Sequence, residues 1–344
     1  DESVLQLNVS KFAINNTMLG AEAFSLDMPG EANSLIRGLS ATAAPVADPS
    51  NLSHIINADG TVTITGAYSD VGDTLVIPST IVVGDKVLNV TGIGQGFNSG
   101  YHNTDNLKTL IIENGITSIA DNAFSYLKNL TTIDLSQNQT LQTIGNQAFV
   151  NDGITTLVLP DSVTTIGDQA FESNPLSSVT FSKNLQTIGS EAFEYDPLTT
   201  VDLSSSTALT SIGDNAFYST RIASLSLPTS LQTIGAKAFA SIAELTSVTI
   251  PSGVTSIGDS AFIQDSNLAT LTFAVGSQLQ TIGENEFTYD SLTSLDLPES
   301  LGTIKNGAFA ANTQLTSLNF AANGNLATIG AHAFENDNGL TTLT

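Results

Sequence analysis

The sequence predicts a repeat solenoid, a stack of short coils, and three observations support this fold class. The phrase Ile-Gly-x-x-Ala-Phe recurs ten times with few exceptions, at intervals of 22 to 25 residues. A second phrase, Leu-x-x-Leu-x-Leu, lies between successive copies, as at residues 292–297. The extra residues of the longer copies fall at one place, as at residues 204–208 and 274–278. A fixed period of this size is typical of stacked repeats, because one repeat cannot bury its apolar face alone.

The phenylalanine that ends the first phrase marks each repeat, and it predicts the large inward-facing residue of each coil. A degenerate eleventh copy lies upstream and ends at Phe97. The ten regular copies end at Phe124, Phe149, Phe171, Phe193, Phe217, Phe239, Phe262, Phe287, Phe309 and Phe334.

The second phrase predicts the main strand of each coil. Apolar residues at its positions 1, 4 and 6 are the leucine-rich repeat signature. Its last three residues alternate between the inner and outer side, which predicts a short strand. A turn follows, and then a second short extended stretch, as at residues 163–166.

The Gly-Asp-x-Ala-Phe segment predicts a helical turn that closes each coil. Its aspartates are expected to act as N-caps, because their carboxylates can accept otherwise unpaired backbone N–H groups. These aspartates are Asp121, Asp168, Asp214 and Asp259. One coil of about 23 residues therefore has a short strand and a helical turn, and stacked coils are expected to form a curved leucine-rich repeat solenoid.

The two ends of the chain differ from the repeats. Residues 1–50 are expected to be an N-terminal segment and linker, in which residues 19–24 imitate the repeat phrase either by chance or as a stray repeat. Residues 51–100 alternate in polarity and predict a β-rich N-terminal cap. Residues 101–344 form the predicted solenoid, which stops within a repeat's strand, so we expect either a fragment of a longer chain or an end that packs against something. The first residue is Asp rather than Met, which indicates a mature or trimmed product.

Composition excludes several classes of function. The chain has 33 acidic and 9 basic residues, a net charge of −24, and this charge repels nucleic acid and anionic membranes. There is no cysteine, which excludes disulfides and thiolate sites. No apolar run reaches the roughly 20 residues of a membrane span, so no membrane insertion is predicted.

No catalytic, cofactor-binding or metal-binding residue is predicted. The three histidines, His54, His102 and His332, are scattered over the cap, the first coil and the last coil, so no triad forms from the repeats. Residues 125–128 match Ser-x-x-Lys without a companion motif, and residues 92–96 lack the third glycine of a dinucleotide-binding loop. The sequence therefore predicts a protein that is not an enzyme and uses no cofactor.

A column of Asp and Asn lies three residues after the phenylalanines. Stacked carboxylates of this kind could hold Ca²⁺, but we favour the interpretation that each side chain caps the backbone of its own turn. The column contains Asp152, Asn174, Asp196, Asp265, Asp290, Asn312 and Asp337.

A column of Thr and Ser precedes the isoleucine of the first phrase. Threonine ladders stabilise pleated surfaces, and this explains the column without a ligand, although a regular threonine face can also bind ice or a glycan. The column contains Ser118, Thr143, Thr165, Thr187, Ser211, Thr233, Ser256, Thr281, Thr303 and Thr328.

The outward residue near the end of each main strand defines a candidate partner-binding face. Such residues are expected on the concave side, the usual binding surface of curved solenoids. The face is predicted to be small and polar with no aromatic anchor, so a merely solvated surface is the alternative. Its candidate residues are Asp134, Asp202, Asp296, Thr249, Thr272 and Asn319.

Three residues depart from the repeat pattern. Lys305 and Ala120 occupy the glycine column, and Glu286 occupies the alanine column. A buried glutamate among alanines is costly unless its coil opens to water. We therefore expect an irregularity in the coil of residues 282–290.

The combined pattern Leu-x-x-Ile-x-Leu-Pro-x-x-Leu-x-x-Ile-Gly-x-x-Ala-Phe resembles the Treponema pallidum-type leucine-rich repeats of BspA-like surface proteins. It covers residues from about 90 to 344. The resemblance implies a bacterial or, less often, protist protein at the cell surface or outside the cell. It further implies adhesion to host matrix proteins or other cells through a protein partner. The alternative hypothesis is a rigid structural spacer that projects another domain from the surface.

Overall fold

The computed structural model describes residues 51–97, 104–322 and 324–343, and of residue 343 only the backbone. All described residues belong to one compact unit, Pro45–Thr344. The predictions for residues 1–50, including the phrase at 19–24, and for His102 lie outside the described residues. The described residues form a β-solenoid in which strands are the only regular secondary structure.

The strands fall into three groups. The predicted cap contains β1 (Leu52–Ile56), β2 (Val62–Ala67), β3 (Thr74–Ile77), β4 (Thr80–Val83) and β5 (Lys86–Ile93). The leucine phrase forms the even-numbered strands β6 (Thr109–Ile112), β8 (Thr132–Asp134), β10 (Thr156–Val158), β12 (Ser178–Thr180), β14 (Thr200–Asp202), β16 (Ser224–Ser226), β18 (Ser247–Ile250), β20 (Thr270–Phe273), β22 (Ser294–Asp296), β24 (Ser317–Asn319) and β26 (Thr342–Leu343). The second extended stretch forms the odd-numbered strands β7 (Ser118–Ile119), β9 (Thr143–Ile144), β11 (Thr165–Ile166), β13 (Thr187–Ile188), β15 (Ser211–Ile212), β17 (Thr233–Ile234), β19 (Ser256–Ile257), β21 (Thr281–Ile282), β23 (Thr303–Ile304) and β25 (Thr328–Ile329).

Parallel pairing joins equivalent strands of successive coils. The odd strands continue the cap in one eleven-stranded sheet of order β1-β2-β5-β7-β9-β11-β13-β15-β17-β19, in which β4 pairs with β5, and β21-β23-β25 form a separate sheet. Only the pairs β1–β2 and β4–β5 are antiparallel among the described strands. The register places like on like, for example Thr165 beside Thr187, so the threonine column forms the predicted ladder. The even strands form four sheets, and the cap strand β3 begins the first of them. Their strand orders are β3-β6-β8, β10-β12, β14-β16 and β18-β20-β22-β24-β26.

The predicted helical turn is wrong. In a typical coil, Gln147 and Asn151, which flank the Ala-Phe pair, have left-handed backbone angles φ of 55° and 62°. These left-handed residues prevent a helix. Instead the N–H groups of Gln147, Phe149 and Asn151 each donate at 2.8 Å to carbonyl oxygens of the next coil. The turn side is therefore a third hydrogen-bonded ladder, and its regular left-handed residues are Asn122, Tyr126, Gln147, Asn151, Gln169, Ser173, Glu191, Tyr195, Asn215, Ser219, Lys237, Ser241, Ser260, Gln264, Asn285, Tyr289, Ala311, His332 and Asn336.

The predicted N-cap aspartates also bond between coils. Asp121 Oδ1 accepts from the backbone N–H of Asn146 at 2.8 Å, and Asp214 Oδ1 accepts from Ala236 at 2.7 Å. Asp168 and Asp259 accept from Ser190 and Glu284 in the same way. The N-cap interpretation is wrong because these carboxylates satisfy donors of the following coil and not of their own turn.

A continuous stack of phenylalanine rings forms the centre of the core. Successive rings from Phe97 to Phe334 lie 5.2 to 5.5 Å apart between centroids, with planes within 14° of each other. The inward position of Phe and of the preceding Ala is confirmed, since Phe217 and Ala216 are fully buried. The ring of Phe97 belongs to the stack, so the degenerate copy is confirmed as a coil. Stacked rings add to the stabilisation that comes from burial of their area.

The glycine column lets neighbouring coils approach closely. A Cβ added at Gly235 would lie 2.4 Å from the carbonyl carbon of Gly213, nearer than any side chain tolerates. At Gly283 the nearest backbone atom, the Cα of Asp259, would lie 3.4 Å away. The coil of Gly283 therefore stands further from the preceding coil.

The expected irregularity at residues 282–290 is confirmed. Strand β21 does not pair with β19, and this ends the eleven-stranded sheet. In regular coils the glycine N–H donates to the carbonyl of the isoleucine in the preceding coil, as Gly258 does to Ile234 at 2.8 Å. Gly283 instead donates to Oε2 of Glu286. The coil does not open to water there, because Glu286 is fully buried and its Oε1 has no hydrogen-bond partner.

Candidate partner-binding face

The even strands present two residues outward around one buried residue. In β14, Thr200 and Asp202 are exposed while Val201 is fully buried. We call the outward side chains of strands β6 to β24 the even-strand face. All six predicted residues lie on it: Asp134 on β8, Asp202 on β14, Thr249 on β18, Thr272 on β20, Asp296 on β22 and Asn319 on β24. Four are exposed, and Asp134 and Asn319 are half-buried.

The structure brings four of the six residues together. Thr249 lies beside Thr272 in register, and Asp296 lies beside Asn319. The amide Nδ2 of Asn319 donates to Oδ1 of Asp296 at 2.6 Å. Strands β18, β20, β22 and β24 are consecutive in one sheet, but β20 and β22 pair only through Thr270 and Ser294. The four residues therefore form two adjacent pairs on this sheet.

The other two residues stand apart from those pairs and from each other. Strands β10 and β12 lie between Asp134 and Asp202 in chain order. Each carboxylate contacts its own turn, since Asp134 Oδ1 accepts from the Ser136 N–H at 2.9 Å. Asp202 Oδ1 accepts from the hydroxyl of Ser204 at 2.6 Å and from its N–H at 3.0 Å, and these bonds lower the pKa of Asp202. Both aspartates therefore stabilise turns as well as charging the face.

Sequence reasoning missed an apolar part of the face. Ile111 lies beside Asp134 in register, and Val158 on β10 is 64% exposed. Thr132, Asp134, Thr156 and Val158 line one shallow depression. The prediction of a small, polar face is wrong at this end. The unbroken apolar run of residues 157–159 was the available signal, because alternation calls for a polar residue at 158.

The Asp/Asn column is buried in the core, and its side chains bond the backbone. Asp152 Oδ1 accepts from the N–H of Leu127 at 2.6 Å, and Asp265 Oδ1 accepts from that of Ile242 at 2.7 Å. The prediction that each side chain caps its own turn is wrong for these aspartates, because their donors belong to the preceding coil. In the described part of the chain, no three His, Asp or Glu side chains are grouped so that they could hold a metal ion.

The turn side carries a second group of acidic and aromatic side chains. Burial raises the pKa of Glu194 to about 7, and the nearby carboxylates of Glu191 and Glu172 add to this. The rings of Tyr195 and Tyr218 meet edge to face with centroids 5.7 Å apart. The negative charge of the solenoid is therefore not confined to the even-strand face.

Comparison with known sequences identifies the repeats. A family described as the BspA type leucine rich repeat region, in six copies, matches residues 97–209 and 210–341. The chain belongs to this family. The resemblance found in the sequence is thereby confirmed. No curated protein matches the chain.

The chain is also similar to solved structures of bacterial proteins. The pneumococcal vaccine antigen PcpA has a TM-score of 0.51 and 22% identity, over 85% of each chain. A leucine-rich repeat protein of Bacteroides ovatus has a TM-score of 0.45 and 20% identity, over 85% of this chain and 92% of that one. A leucine rich cell surface protein of Faecalibacterium prausnitzii has a TM-score of 0.40 and 23% identity, with the same coverage. At 22% identity, the match to PcpA shows a shared fold and does not show a shared function.

The described residues contain no helix that is long and apolar enough to cross a membrane.

Proposed function

We propose that this BspA-type chain is a non-catalytic interaction module outside the cell or on its surface, which adheres to a host matrix or other surface protein. The observation that carries the proposal is the even-strand face, where successive coils repeat short outward side chains, in register within each sheet. Such a face is broad, and its residues come from rigid strands. A partner can therefore contact many coils at once without ordering any loop.

Charge and apolar exposure indicate the kind of partner surface. Asp134, Asp202 and Asp296 make the face acidic, and the whole chain carries a net charge of −24. Complementary charge speeds association and orients partners, so a basic protein surface is favoured. Val158 supplies an apolar contact that a partner can desolvate, which is the usual source of binding energy at an interface.

The location rests on the relatives. Among the structural neighbours, one is described as a cell surface protein and one as a vaccine antigen. Surface location also fits a chain without cysteine, because stacking of coils provides the stability that disulfides provide in smaller exported domains.

Surface plasmon resonance over immobilised matrix proteins, mucin and basic proteins tests this proposal. Thr249→Arg places a large cation on the even-strand face, and Thr233→Arg places the same cation on the exposed odd-strand side one coil away. We expect saturable binding to one target that persists at about 0.5 M salt, where screening shortens to a few ångströms. We expect Thr249→Arg to weaken it at least tenfold and Thr233→Arg to leave it unchanged.

A rigid spacer is the second candidate function. It is favoured by the hydrogen bonding of regular coils to their neighbours through the odd ladder and the turn ladder, to which the even strands add pairing within four separate sheets. Binding that disappears with salt, or equal effects of both arginine substitutions, would contradict the adhesion proposal and support the spacer.

A further inference from the structure

The position three residues after the phenylalanine is a buried polar slot in eight of the ten regular coils, and Leu127 and Ile242 fill it in the other two. Its polar occupants are at most 8% exposed. Each must therefore find a hydrogen-bond partner within the protein. The occupants are Asp152, Asn174, Asp196, Thr220, Asp265, Asp290, Asn312 and Asp337.

Every neutral polar occupant of the slot donates to a phenylalanine carbonyl. Asn174 Nδ2 donates to the carbonyl oxygen of Phe171 at 2.6 Å, and the Thr220 hydroxyl donates to that of Phe217 at 3.0 Å. Asn312 repeats the pattern with Phe309. In these three coils the slot thus presents the carbonyl of the phenylalanine three residues earlier as an acceptor for its occupant.

Aspartate fills the same slot in five coils, with one oxygen satisfied. Oδ1 accepts a backbone N–H from the preceding coil at 2.6 to 3.0 Å in each case. Oδ2 is buried and has no hydrogen-bond partner in Asp152, Asp196, Asp265, Asp290 and Asp337. An ionised carboxylate only accepts hydrogen bonds, so it cannot serve a slot whose other polar occupants donate.

We propose that these five aspartates are carboxylic acids in the folded protein, and that each donates from Oδ2–H to the carbonyl of the phenylalanine three residues earlier. Each protonated aspartate then does what Asn174 and Asn312 do in their coils. The solenoid would be held most tightly at acidic pH and would loosen as these groups lose their protons.

The surroundings of the slot favour the neutral form. Burial raises the pKa of Asp152, Asp196, Asp265 and Asp290 well above the usual range, and raises that of Asp337 to about 6. Lysine lies near only one of them, since Lys128 lowers the pKa of Asp152. Glu172 adds to the rise at Asp196, and Asp265 adds to the rise at Asp290 in the next coil.

The direction of the pH effect follows from these pKa values. A carboxyl with a raised folded pKa is protonated in the folded chain over a range where it is ionised in the unfolded chain. Stability is therefore complete below about pH 4 and falls as pH rises through the folded pKa. For Asp337 this window runs from about 4 to about 6. For the other four aspartates the window also begins near pH 4, and its upper limit lies well above the usual pKa of aspartate.

Urea unfolding between pH 4 and pH 8 tests the proposal. Asp265→Asn keeps a donor in the slot at every pH, as Asn174 and Asn312 do naturally. Asp214→Asn is the matched control, because Asp214 is exposed and its column already contains Asn146 and Asn306. We expect the unfolding constant of Asp265→Asn at pH 8 to be at least roughly tenfold smaller than that of the native chain, because one pKa unit corresponds to a tenfold change.

At pH 4 the native chain, Asp265→Asn and Asp214→Asn should have equal stability, and Asp214→Asn should follow the native chain at every pH. An infrared band of protonated carboxyl groups should be present at pH 7 and weaker in Asp265→Asn. An unchanged pH profile, or no such band, would overturn the proposal. So would a stability that falls on addition of a chelator and is lost in Asp265→Asn, since that result would assign the slot to calcium.

Discussion

Glu286 shows what a single residue costs in a repeated core. It stands where other coils have a fully buried alanine, and its carboxyl takes the Gly283 N–H that would otherwise join its coil to the preceding one. Burial raises the pKa of Glu286 to about 8, which the Gly283 bond partly offsets. Outside the core, Lys305 forms an exposed ion pair with Asp259 at 3.2 Å across the same irregular coil.

Glu286→Ala should therefore restore the regular coil and remove one source of pH dependence. The native carboxyl has a folded pKa above its unfolded value, so its contribution to stability falls as pH rises from about 4.5 to about 8. We expect the change in the free energy of unfolding caused by Glu286→Ala to be more favourable at pH 8 than at pH 5. The difference should be roughly 3 kcal/mol, at about 1.4 kcal/mol per pKa unit. Urea unfolding at both pH values measures this, with exposed Glu284→Ala as the control. A substitution that lowers stability equally at both pH values would contradict it.

At the scale of the element, the turn ladder depends on left-handed residues that are not glycine. A left-handed conformation costs an ordinary residue roughly 1–2 kcal/mol. In each regular coil two such residues direct three backbone N–H groups at the next coil, and those groups would be unsatisfied in a buried helix end. The hydrogen bonds between coils thus offset the strain, which only the stacked state can do.

Lys237, with φ of 55° and an exposed side chain, provides the test of this strain. Lys237→Gly should be more stable than Lys237→Ala by roughly 1 kcal/mol, because glycine has no Cβ to clash in the left-handed region. At exposed Lys108, which lacks a positive φ, Lys108→Ala should instead be more stable than Lys108→Gly. Thermal unfolding of the four variants measures both differences. The same order at both positions would rule out the strain.

At the scale of the whole molecule, each coil's ladder bonds link it to its neighbours in sequence. The turn ladder and the odd ladder repeat the same bonds from coil to coil, except that the odd ladder breaks before β21, and the even strands pair within four separate sheets. The stability of such an array is approximately the sum of the stabilities of its coils and of the interfaces between adjacent coils. A coil can therefore be removed without unfolding the others.

Deletion of residues 218–239, one coil of 22 residues, should leave a folded and shorter solenoid, since Phe217 would then lead into the next coil in register. Deletion of residues 218–228 should be strongly destabilising, because half a coil places outward residues in the core. Circular dichroism and size-exclusion chromatography check both. Unfolding of the full-coil deletion would show that distant coils depend on one another.

Alternation along each strand correctly predicted which side chains of the even-strand face point outward. It could not predict which side chains of neighbouring coils meet. Alternation correctly placed Asp202 and Thr249 on the outside. It did not indicate that Asn319 would bond to Asp296, nor that Val158 would be exposed beside Asp134. Side chains from successive coils are more than 20 residues apart in sequence, so only the register of the ladders brings them together.

The sequence by itself determined the coil length, the inward Phe and Ala, the strands of both ladders, the family, and the irregular coil at Glu286. All of these follow from periodicity or from a break in it. Only the tertiary structure decided that Gln147 is left-handed, that Asp121 bonds to Asn146, and that Asp265 is buried with Oδ1 bonded to the N–H of Ile242. The physical reason is that a stacked coil offers its neighbour backbone donors and acceptors at hydrogen-bond distance. These contacts outweigh the local preference of Gly-Asp-x-Ala-Phe for a helix.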